Sequence, residues 1–300
     1  MNLQQYCGYV AILGRPNVGK STLLNAILGK KLSITCHKRQ TTRHVIHGIK
    51  TEGAYQSIYV DTPGLHKCHK RTLNRHMNQI ASHAVYDVDL AVFLVDCMVW
   101  TDEDDYVLDK ILDADVPVIL AVNKIDQFSD RKALLPILNQ LQNKANFLGI
   151  IPICASKNEN IDKLIEMVNA NLPEGDFFFT EDQLTNRDDN FIIAEMVREK
   201  LFNTTHQEIP YSATVVVDQS QLRGEVLHIS ATIYVEKSSQ KAIIIGKGGS
   251  HLKIIGSHAR KDLEDFFGKR IYLQLWVKVK TGWADDEQAL QQLGFYNPVA

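Results

Sequence analysis

Short runs of apolar residues alternate with segments of helical periodicity through the first half of the chain. The runs predict strands at residues 9–13, 57–60, 90–95, 118–122 and 150–153. The segments between them predict helices at residues 21–28, 73–85, 104–112, 132–145 and 161–171. This alternation predicts an α/β domain in which helices cover both faces of a mostly parallel sheet.

The pattern breaks at residues 172–176, Leu-Pro-Glu-Gly-Asp, and a polar stretch that begins with three phenylalanines follows. We therefore predict a first domain at residues 1–175, a linker at 176–189 and a second domain at 190–300. The second domain has helical periodicity at 191–202 and 251–266, and strand-like runs at 213–217, 228–235 and 270–279. With a further helical segment before a glycine-rich turn, the order α-β-β-α-α-β predicts an α+β domain.

The composition is that of a globular protein inside the cell. The chain has 300 residues, of which 45% are hydrophobic and 23% charged, and this length fits about two domains. Its net charge of -2 gives no overall attraction to nucleic acids or anionic membranes. Five dispersed cysteines argue against a zinc site or a disulfide framework, and the first residues do not form a signal peptide. We expect a cytoplasmic protein with, at most, peripheral contact with a membrane.

Residues 14–21 read Gly-Arg-Pro-Asn-Val-Gly-Lys-Ser and lie between a predicted strand and a predicted helix. This context is typical of a phosphate-binding loop, because backbone N–H groups and the helix N-terminus face the phosphate oxygens. We expect Lys20 to reach the β- and γ-phosphates and Ser21 to offer a hydroxyl to Mg²⁺. A glycine-rich turn with an incidental lysine is the alternative. The predicted nucleotide contacts of the loop are Gly14, Arg15, Pro16, Asn17, Val18, Gly19, Lys20, Ser21 and Thr22.

A second motif, Asp-Thr-Pro-Gly at residues 61–64, follows a predicted strand. Asp61 therefore lies at the carboxyl end of that strand, where open α/β sheets bind ligands, and we expect it to orient Mg²⁺ through water. Gly64 has no side chain, so its N–H can approach a γ-phosphate whose loss would release the following segment. A Pro-Gly turn that binds nothing is the alternative. The predicted nucleotide contacts here are Asp61, Thr62, Pro63, Gly64 and Leu65.

The third motif, Asn-Lys-Ile-Asp at residues 123–126, also follows a predicted strand. The Asp126 carboxylate can accept hydrogen bonds from the ring N–H and exocyclic amine of guanine, whereas adenine would leave it without these donors. Asn123 can bond neighbouring loops and the base, and the stem of Lys124 can lie over the purine. An exposed polar loop is the alternative. The motif predicts guanine recognition by Asn123, Lys124, Ile125 and Asp126.

Together these motifs resemble the TRAFAC class of GTPases over residues 6–172. The resemblance implies hydrolysis of GTP to GDP and phosphate, with a catalytic set of Asn17, Lys20, Ser21, Thr42, Asp61 and Gly64. It places the first switch at residues 40–43, Gln-Thr-Thr-Arg, and makes Thr42, rather than Thr41, a ligand of Mg²⁺ beside Ser21 and Asp61. The last base-contacting loop of the family usually contains Ser-Ala, but residues 153–156 here read Ile-Cys-Ala-Ser. The resemblance therefore implies a backbone contact from Ala155 to the base, rather than a side-chain contact from Cys154.

Hydrolysis is predicted to be slow. Ras-like enzymes place a glutamine directly after the glycine of the second motif to hold the attacking water, but here that residue is Leu65. An apolar side chain cannot orient water by hydrogen bonding. Related GTPases with an asparagine at the position of Asn17 use bound K⁺ where others use an arginine finger, which raises the hypothesis that K⁺ activates this chain.

The turn Gly-Lys-Gly-Gly at residues 246–249 carries a G-x-x-G loop, which in KH domains clamps the backbone of about four nucleotides. A helix C-cap followed by a turn is the alternative. Residues 237–280 contain ten Lys or Arg and three Asp or Glu, and the element order resembles a type II KH domain over residues 190–280, which implies single-stranded RNA as ligand. The apolar residues 243–245, 252, 254 and 255 are expected mostly in the core, with a base groove as the alternative. The predicted RNA contacts are Gly246, Lys247, Gly248, Gly249, Lys253 and Arg260.

The two domains, together with the closing sequence Leu-Trp-Val-Lys-Val-Lys-Thr-Gly-Trp-Ala-Asp-Asp-Glu at residues 275–287, resemble the Era family of bacterial ribosome-assembly GTPases. The resemblance implies a monomer that binds near the 3′ end of 16S rRNA during maturation of the small ribosomal subunit, with a fraction at the cytoplasmic face of the inner membrane. We expect GTP and Mg²⁺ to order residues around Thr42 and Gly64 and so change RNA affinity. A ribosome-associated or tRNA-modifying GTPase that does not need the G-x-x-G loop, and an RNA-binding adaptor with an inactive nucleotide site, are the alternatives.

Overall fold

The fold is that of a computed structural model, which describes residues 4–36, 42–64, 72–205, 209–293 and 295. The chain divides into two compact units. Of the described residues, 4–33, 42–64 and 76–186 belong to the first unit, and 34–36, 72–75, 187–205, 209–293 and 295 belong to the second. Residues 176–186, the first part of the predicted linker, thus lie in the first unit.

Strands and helices alternate through the first half, as the apolar pattern predicts. In chain order they are β1 (Tyr6–Leu13), α1 (Lys20–Leu28), β2 (Ile46–Glu52), β3 (Tyr55–Asp61), α2 (Thr72–His83), β4 (Leu90–Asp96), α3 (Asp102–Asp113), β5 (Val118–Asn123), α4 (Leu134–Gln142), β6 (Gly149–Pro152) and α5 (Ile161–Asn169).

The strands of the first unit form a mostly parallel sheet in the order β2-β3-β1-β4-β5-β6. β4 and β5 are buried along almost their whole length, which is why they read as continuous apolar runs rather than as alternating ones. Because β1, β3, β4 and β5 run parallel, their carboxyl ends meet at one edge of the sheet. The three predicted nucleotide motifs follow β1, β3 and β5 and therefore come together there.

The edge strand β2 is an element that the sequence pattern did not predict. It runs antiparallel to β3, with Ile49 opposite Ile58, and only part of its residues are buried. Its sequence, Ile-His-Gly-Ile-Lys-Thr-Glu, mixes polar residues and a glycine, so it lacks the continuous apolar run of the inner strands. Gly48 packs closely on α1, since a Cβ there would lie 2.6 Å from Leu24 Cδ1 and displace that side chain.

The segment after α5 is fastened to the sheet by one buried amide. The Oε1 atom of Gln56 accepts hydrogen bonds from the backbone N–H groups of Phe178 and Phe179 at 2.9 and 3.0 Å, and its Nε2 donates to the carbonyl of Phe179 at 2.9 Å. Further along, the N–H of Ile49 donates to the carbonyl of Leu184 at 2.8 Å. These bonds explain why this part of the predicted linker belongs to the first unit.

The second unit has the predicted α-β-β-α-α-β order, followed by a short helix that the pattern did not predict. Its elements are α6 (Asp189–Thr204), β7 (Ala213–Arg223), β8 (Val226–Val235), α7 (Ser238–Ile245), α8 (Ser250–Phe267), β9 (Arg270–Val279) and α9 (Glu287–Gln292). The sheet order is β7-β8-β9, antiparallel between β7 and β8 and parallel between β8 and β9. Helices α6, α7 and α8 contribute Val197, Ile244 and Ile255 to the core that covers β8.

Among the described residues, no helix combines the length and the apolar character needed to cross a bilayer.

Candidate functional site

The loop between β1 and α1 carries glycines where its path requires them. Gly19 has φ +109°, and a Cβ at this position would lie 2.5 Å from Nδ2 of Asn123. A Cβ at Gly14 would lie 2.4 Å from the carbonyl oxygen of Leu94. Asn17 also has a positive φ, of 67°, which asparagine tolerates better than most residues. The loop is therefore pressed against β4 and the third motif, and these contacts fix its shape.

Lys20 points into this loop and is buried. Its Nζ donates to the carbonyls of Gly14 and Arg15 at 2.9 and 3.1 Å. Burial lowers the pKa of Lys20 to about 8, an effect that the nearby Asp61 carboxylate partly opposes. A Cβ at Gly64 would lie 3.1 Å from this Nζ, so a residue with a side chain would crowd the lysine at this position of the second motif. A phosphate group between Lys20 and Gly64 would stabilise the charged form of the lysine and raise its pKa again.

Three predicted metal ligands converge around the carboxylate of Asp61. The hydroxyl of Ser21 donates to Oδ2 of Asp61 at 2.9 Å and lies 2.9 Å from Oγ1 of Thr42. Ser33, which the sequence did not single out, donates to the same Oδ2 at 2.8 Å. Thr42 and Arg43, the two residues of the predicted first switch that the structure describes, are both buried. Gln40 and Thr41 lie outside the described residues.

The chemistry of this cluster fits Mg²⁺. Asp61 is fully buried, and its Oδ1 atom has no hydrogen-bond partner among the described residues. Burial raises the pKa of Asp61, because it disfavours the charged form of the carboxyl group. A hard divalent cation beside two hydroxyls and this carboxylate would stabilise the charged form, with phosphate and water as its other ligands.

The third motif, predicted to contact the base, is hydrogen-bonded to the phosphate loop. Nδ2 of Asn123 donates to the carbonyl of Val18 at 2.8 Å, and its Oδ1 accepts from the N–H of Ala155 at 3.0 Å. Lys124 has φ +66°, and its Nζ donates to Asp96 at 2.8 Å. The predicted base contacts therefore share one edge of the sheet with the phosphate loop.

Asp126 is held in place by two partners. The thiol of Cys154 donates to its Oδ1 at 3.2 Å, and Nζ of Lys157 lies 3.2 Å from its Oδ2. The hydrogen bond from Cys154, and then that from Lys157, keep the pKa of Asp126 below its usual range. The carboxylate is thus ionised and aimed before guanine arrives. Neither Cys154 nor Lys157 was predicted as a side-chain contributor.

Several residues of the predicted nucleotide set have side chains that are engaged or buried within the protein. The guanidinium of Arg15 forms an ion pair with Asp104 of α3 at 2.9 Å, and Thr62 Oγ1 donates to the carbonyl of Ile12 at 3.4 Å. Val18 and Ile125 are buried in the core. Of the remaining members, Pro16 and Pro63 lie in the predicted phosphate-binding loops, and Thr22 lies in the first turn of α1. Leu65 lies outside the described residues.

In the second unit, the G-x-x-G turn has the backbone that glycine permits. Gly246, Gly248 and Gly249 have φ values of +72°, +60° and +79°. A Cβ at Gly246 would lie 2.9 Å from the backbone nitrogen of His251. The ring of His251 lies 3.0 Å through Nδ1 from the carbonyl of Ile243 and 3.2 Å through Nε2 from the carbonyl of Thr204, which ties the start of α8 to α7 and α6.

A groove of about 370 Å³ runs between α8 and the edge strand β9. Of the predicted RNA contacts, Gly249, Lys253 and Arg260 line it, and the two basic residues are seven positions apart on one face of α8. Lys247 is exposed at the tip of the turn. Its other lining residues are mostly apolar and are Leu252, Gly256, Ser257, Ile271, Tyr272, Leu273 and Leu275.

The apolar residues beside the turn divide between core and surface. Ile244 and Ile255 are fully buried, and Ile245 and Leu252 pack against the same core. Ile243 and Ile254 are about half exposed, at 52% and 47%. The expectation that most of these residues belong to the core is therefore confirmed, with Leu252 also lining the groove.

Comparison with known proteins assigns both units to families. The model of the 50S ribosome-binding GTPases matches residues 9–124, and that of the KH domain matches residues 208–284. The GTPase Era of Pseudomonas fluorescens is 52% identical over 289 residues, which cover 96% of each chain. The chain belongs to the Era family of GTPases.

Two solved structures of Era proteins have the same fold. A single-substitution variant of Aquifex aeolicus Era bound to GDP.AlF4- has a TM-score of 0.93 and 37% identity, and the match covers 97% of this chain and 99% of that one. Era in complex with MgGDPNP and nucleotides 1506-1542 of 16S ribosomal RNA has the same TM-score, identity and coverage. The predicted pairing of a G domain with a KH domain is thereby confirmed.

Within this Era-family chain, Cys154 is predicted to position Asp126 for guanine. Cys154→Ala should weaken binding of both GTP and GDP about fivefold, since it removes one weak hydrogen bond to the carboxylate. Cys154→Ser should keep the affinity, because its hydroxyl can donate in the same way. Titration of the two variants with fluorescent guanine nucleotides checks this. Equal losses in both variants would assign Cys154 to packing alone.

Proposed function

We propose that this chain is a GTP-hydrolysing switch that binds the 3′ region of 16S rRNA through its KH groove and acts in assembly of the small ribosomal subunit. The observation that carries the proposal is one chain that joins a preformed guanine and phosphate site to a basic G-x-x-G groove. The Era structure with MgGDPNP and rRNA nucleotides, which covers 97% of this chain, supports the same pairing of ligands.

In the nucleotide site, we assign Ser21, Thr42 and Asp61 to Mg²⁺, and Lys20 and Gly64 to the γ-phosphate. When bound, Mg²⁺ neutralises charge on the phosphate oxygens. The buried Nζ of Lys20, which donates to carbonyls of the loop, would pair with the same phosphates, and the backbone N–H groups of the loop would orient them. Asp126, ionised and fixed by Cys154, selects guanine.

Hydrolysis in this site is expected to be slow without an activator. The residue after Gly64 is leucine, so it offers no hydrogen bond to the attacking water. Asn17 is exposed in the phosphate loop at φ +67°. Related GTPases that use K⁺ have an asparagine at this position. We therefore propose K⁺ as the activating cation.

We expect turnover of GTP in KCl to exceed that in NaCl by about tenfold or more, because a fixed cation adds charge stabilisation in the transition state. Asn17→Ala should remove this difference while leaving Mg²⁺ dependence in place. The check is phosphate release at constant ionic strength in the two salts. Equal turnover in KCl and NaCl would contradict the role of K⁺.

The proposed switch is supported by contacts near Thr42 and Gly64, the two residues proposed to sense the γ-phosphate. Within the second unit, the N–H of Thr35 donates to Oε1 of the buried Glu199 on α6 at 3.0 Å. In the same unit, the N–H of Leu73 donates to the carbonyl of Ala284 at 3.3 Å. Thr35 precedes Thr42 by seven residues, and Leu73 follows Gly64 by nine. A change at either sensor therefore has a short covalent path to the unit that carries the RNA groove.

Coupling of this kind must be reciprocal, because both ligands share one thermodynamic cycle. We expect a non-hydrolysable GTP analogue to tighten binding of an oligonucleotide from the 16S rRNA 3′ end, and the RNA to tighten the analogue by the same factor. Two titrations, each with and without the other ligand, measure the two factors. Independence of the two affinities would refute the switch while leaving each binding site intact.

For location, we propose that the protein works in the cytoplasm as a monomer, with a fraction held peripherally at the inner membrane. This part rests on the family resemblance and on the sequence, which offers no long apolar segment. Fractionation of cells into cytosol, ribosomes and membranes, followed by a salt wash of the membranes, tests it.

A further inference from the structure

A cleft in the first unit lies away from the nucleotide edge of the sheet. It has a volume of about 720 Å³ and is lined by residues from β1, from the turn before β4 and from the segment after α5. Asp89 directly precedes β4, so the cleft lies near the amino end of that strand, whereas the nucleotide motifs follow the carboxyl ends. The proposed GTP and RNA functions leave this cleft unused.

Aromatic rings form much of its wall. Phe178 and Tyr86 are 61% and 55% exposed, and Tyr9 and Phe177 line the cleft beside them. The ring of Phe178 stacks on that of Tyr9, with centroids 5.6 Å apart and planes inclined by 28°. Because the buried Gln56 holds the backbone of Phe178, the exposed ring is fixed rather than carried on a free loop. Fixed, exposed aromatic rings are typical of the centre of protein interfaces.

The charges at the cleft are of one sign. Asp87, Asp89, Glu174 and Asp176 line it, and none of them has a salt-bridge partner in the part of the chain that the structure describes. The three sequence segments that build it, residues 4–13, 84–90 and 171–183, contain no Lys or Arg. Asp89 is positioned by the backbone N–H of Tyr9, which donates to its Oδ2 at 2.8 Å.

The acidic and aromatic lining of the cleft indicates which class of ligand it can bind. Nucleic acid and anionic lipid are repelled by four carboxylates. The acids are spread along the cleft, and in the described residues no group of three or more His, Cys, Asp or Glu is placed to hold a metal ion. A guanidinium group can bind both the acidic and the aromatic residues of the cleft. It pairs with a carboxylate in its own plane and stacks its face on an aromatic ring.

We propose that this cleft binds an arginine-rich segment of a protein partner. Arginine side chains enter between Phe178 and Tyr86 and pair with Asp87 and Asp89, while Glu174 and Asp176 attract the flanking basic residues. The cleft shares no lining residue with the proposed GTP and RNA sites, so its binding can be tested independently of theirs.

The test uses the full-length protein and a fluorescent peptide of nine arginines, with binding followed by anisotropy at moderate salt. Asp87→Asn/Asp89→Asn should weaken binding about tenfold, since two charge pairs are lost while the new amide at position 89 keeps an acceptor for Tyr9. The matched control is Asp102→Asn/Asp109→Asn on α3, which removes the same charge from two exposed positions and should leave the affinity nearly unchanged. Retained GTP hydrolysis in both double variants shows that the fold is intact.

A second measurement separates recognition from simple attraction. The parent protein should bind the arginine peptide several times more tightly than a peptide of nine lysines, because only guanidinium stacks well on Phe178, and Phe178→Ala should abolish this preference. Equal losses in the two double variants, no preference for arginine, or displacement of the peptide by spermine at equal charge would each overturn the proposal.

Discussion

Gly19→Ala should lower the affinity for GTP and GDP about 100-fold, because it strains the phosphate loop and the base site together. Gly19 has φ +109°, and the added Cβ would lie 2.5 Å from Nδ2 of Asn123. Relief of this clash moves Asn123 off the carbonyl of Val18 and the N–H of Ala155, to which it is hydrogen-bonded. Isothermal titration with GDP measures the loss.

The other end of the same helix provides the control for this prediction. Gly29, the C-cap of α1, has φ +65°, and a Cβ there would meet nothing within 4 Å. Gly29→Ala therefore imposes backbone strain without a clash, and it should lower thermal stability slightly while leaving nucleotide affinity unchanged. If Gly29→Ala lost nucleotide as severely as Gly19→Ala, general destabilisation rather than loop geometry would be the cause.

Gly248→Asp should lower the affinity for the 16S rRNA 3′ oligonucleotide about 100-fold while hydrolysis of GTP continues. Gly248 has φ +60° at the tip of the G-x-x-G turn, where an RNA backbone would pass. The substitution places a carboxylate against phosphates and forces an unfavourable backbone conformation on a residue with a Cβ. Filter binding at fixed salt, beside a phosphate-release assay, measures both quantities.

The control for this variant is at the far end of α8. Gly268 has φ +64° with nothing within 4 Å of an added Cβ, the same surroundings as Gly248. Gly268→Asp therefore adds the same charge and the same strain away from the turn, and it should reduce RNA affinity far less. Equal RNA losses in the two variants would show that the turn is not the contact and would remove support for the RNA function.

The sequence predicted those parts of the fold whose pattern is set by burial on two sides. β4 and β5 are continuous apolar runs because both of their faces are covered, so their position follows from composition alone. The pattern did not predict β2 because its two buried isoleucines, Ile46 and Ile49, are separated by a histidine and a glycine, so the strand has no continuous apolar run. The boundary of the first unit likewise depends on Gln56, whose polar side chain gives no sign of the contacts that bury it.

The candidate site divides in the same way. Lys20, Asp61 and Asp126 could be found because each stands at a fixed offset within a motif that follows a strand. Ser33 and Lys157 could not, because they reach Asp61 and Asp126 from outside the motifs, and only the folded chain brings them near. Cys154 stood in a recognised loop, but its departure from serine concealed a hydrogen bond that the thiol still makes.

Asn123 ties the loop that faces the phosphates to the loop that faces the base, through Val18 on one side and Ala155 on the other. Both hydrogen bonds join protein groups and neither involves a γ-phosphate, so we do not expect cleavage alone to break them. We therefore expect the departure of spent nucleotide to be a second slow stage. After hydrolysis the protein would remain in its GDP-bound state until GDP dissociates. Slow GDP release would therefore limit the rate at which one molecule can bind and hydrolyse GTP again.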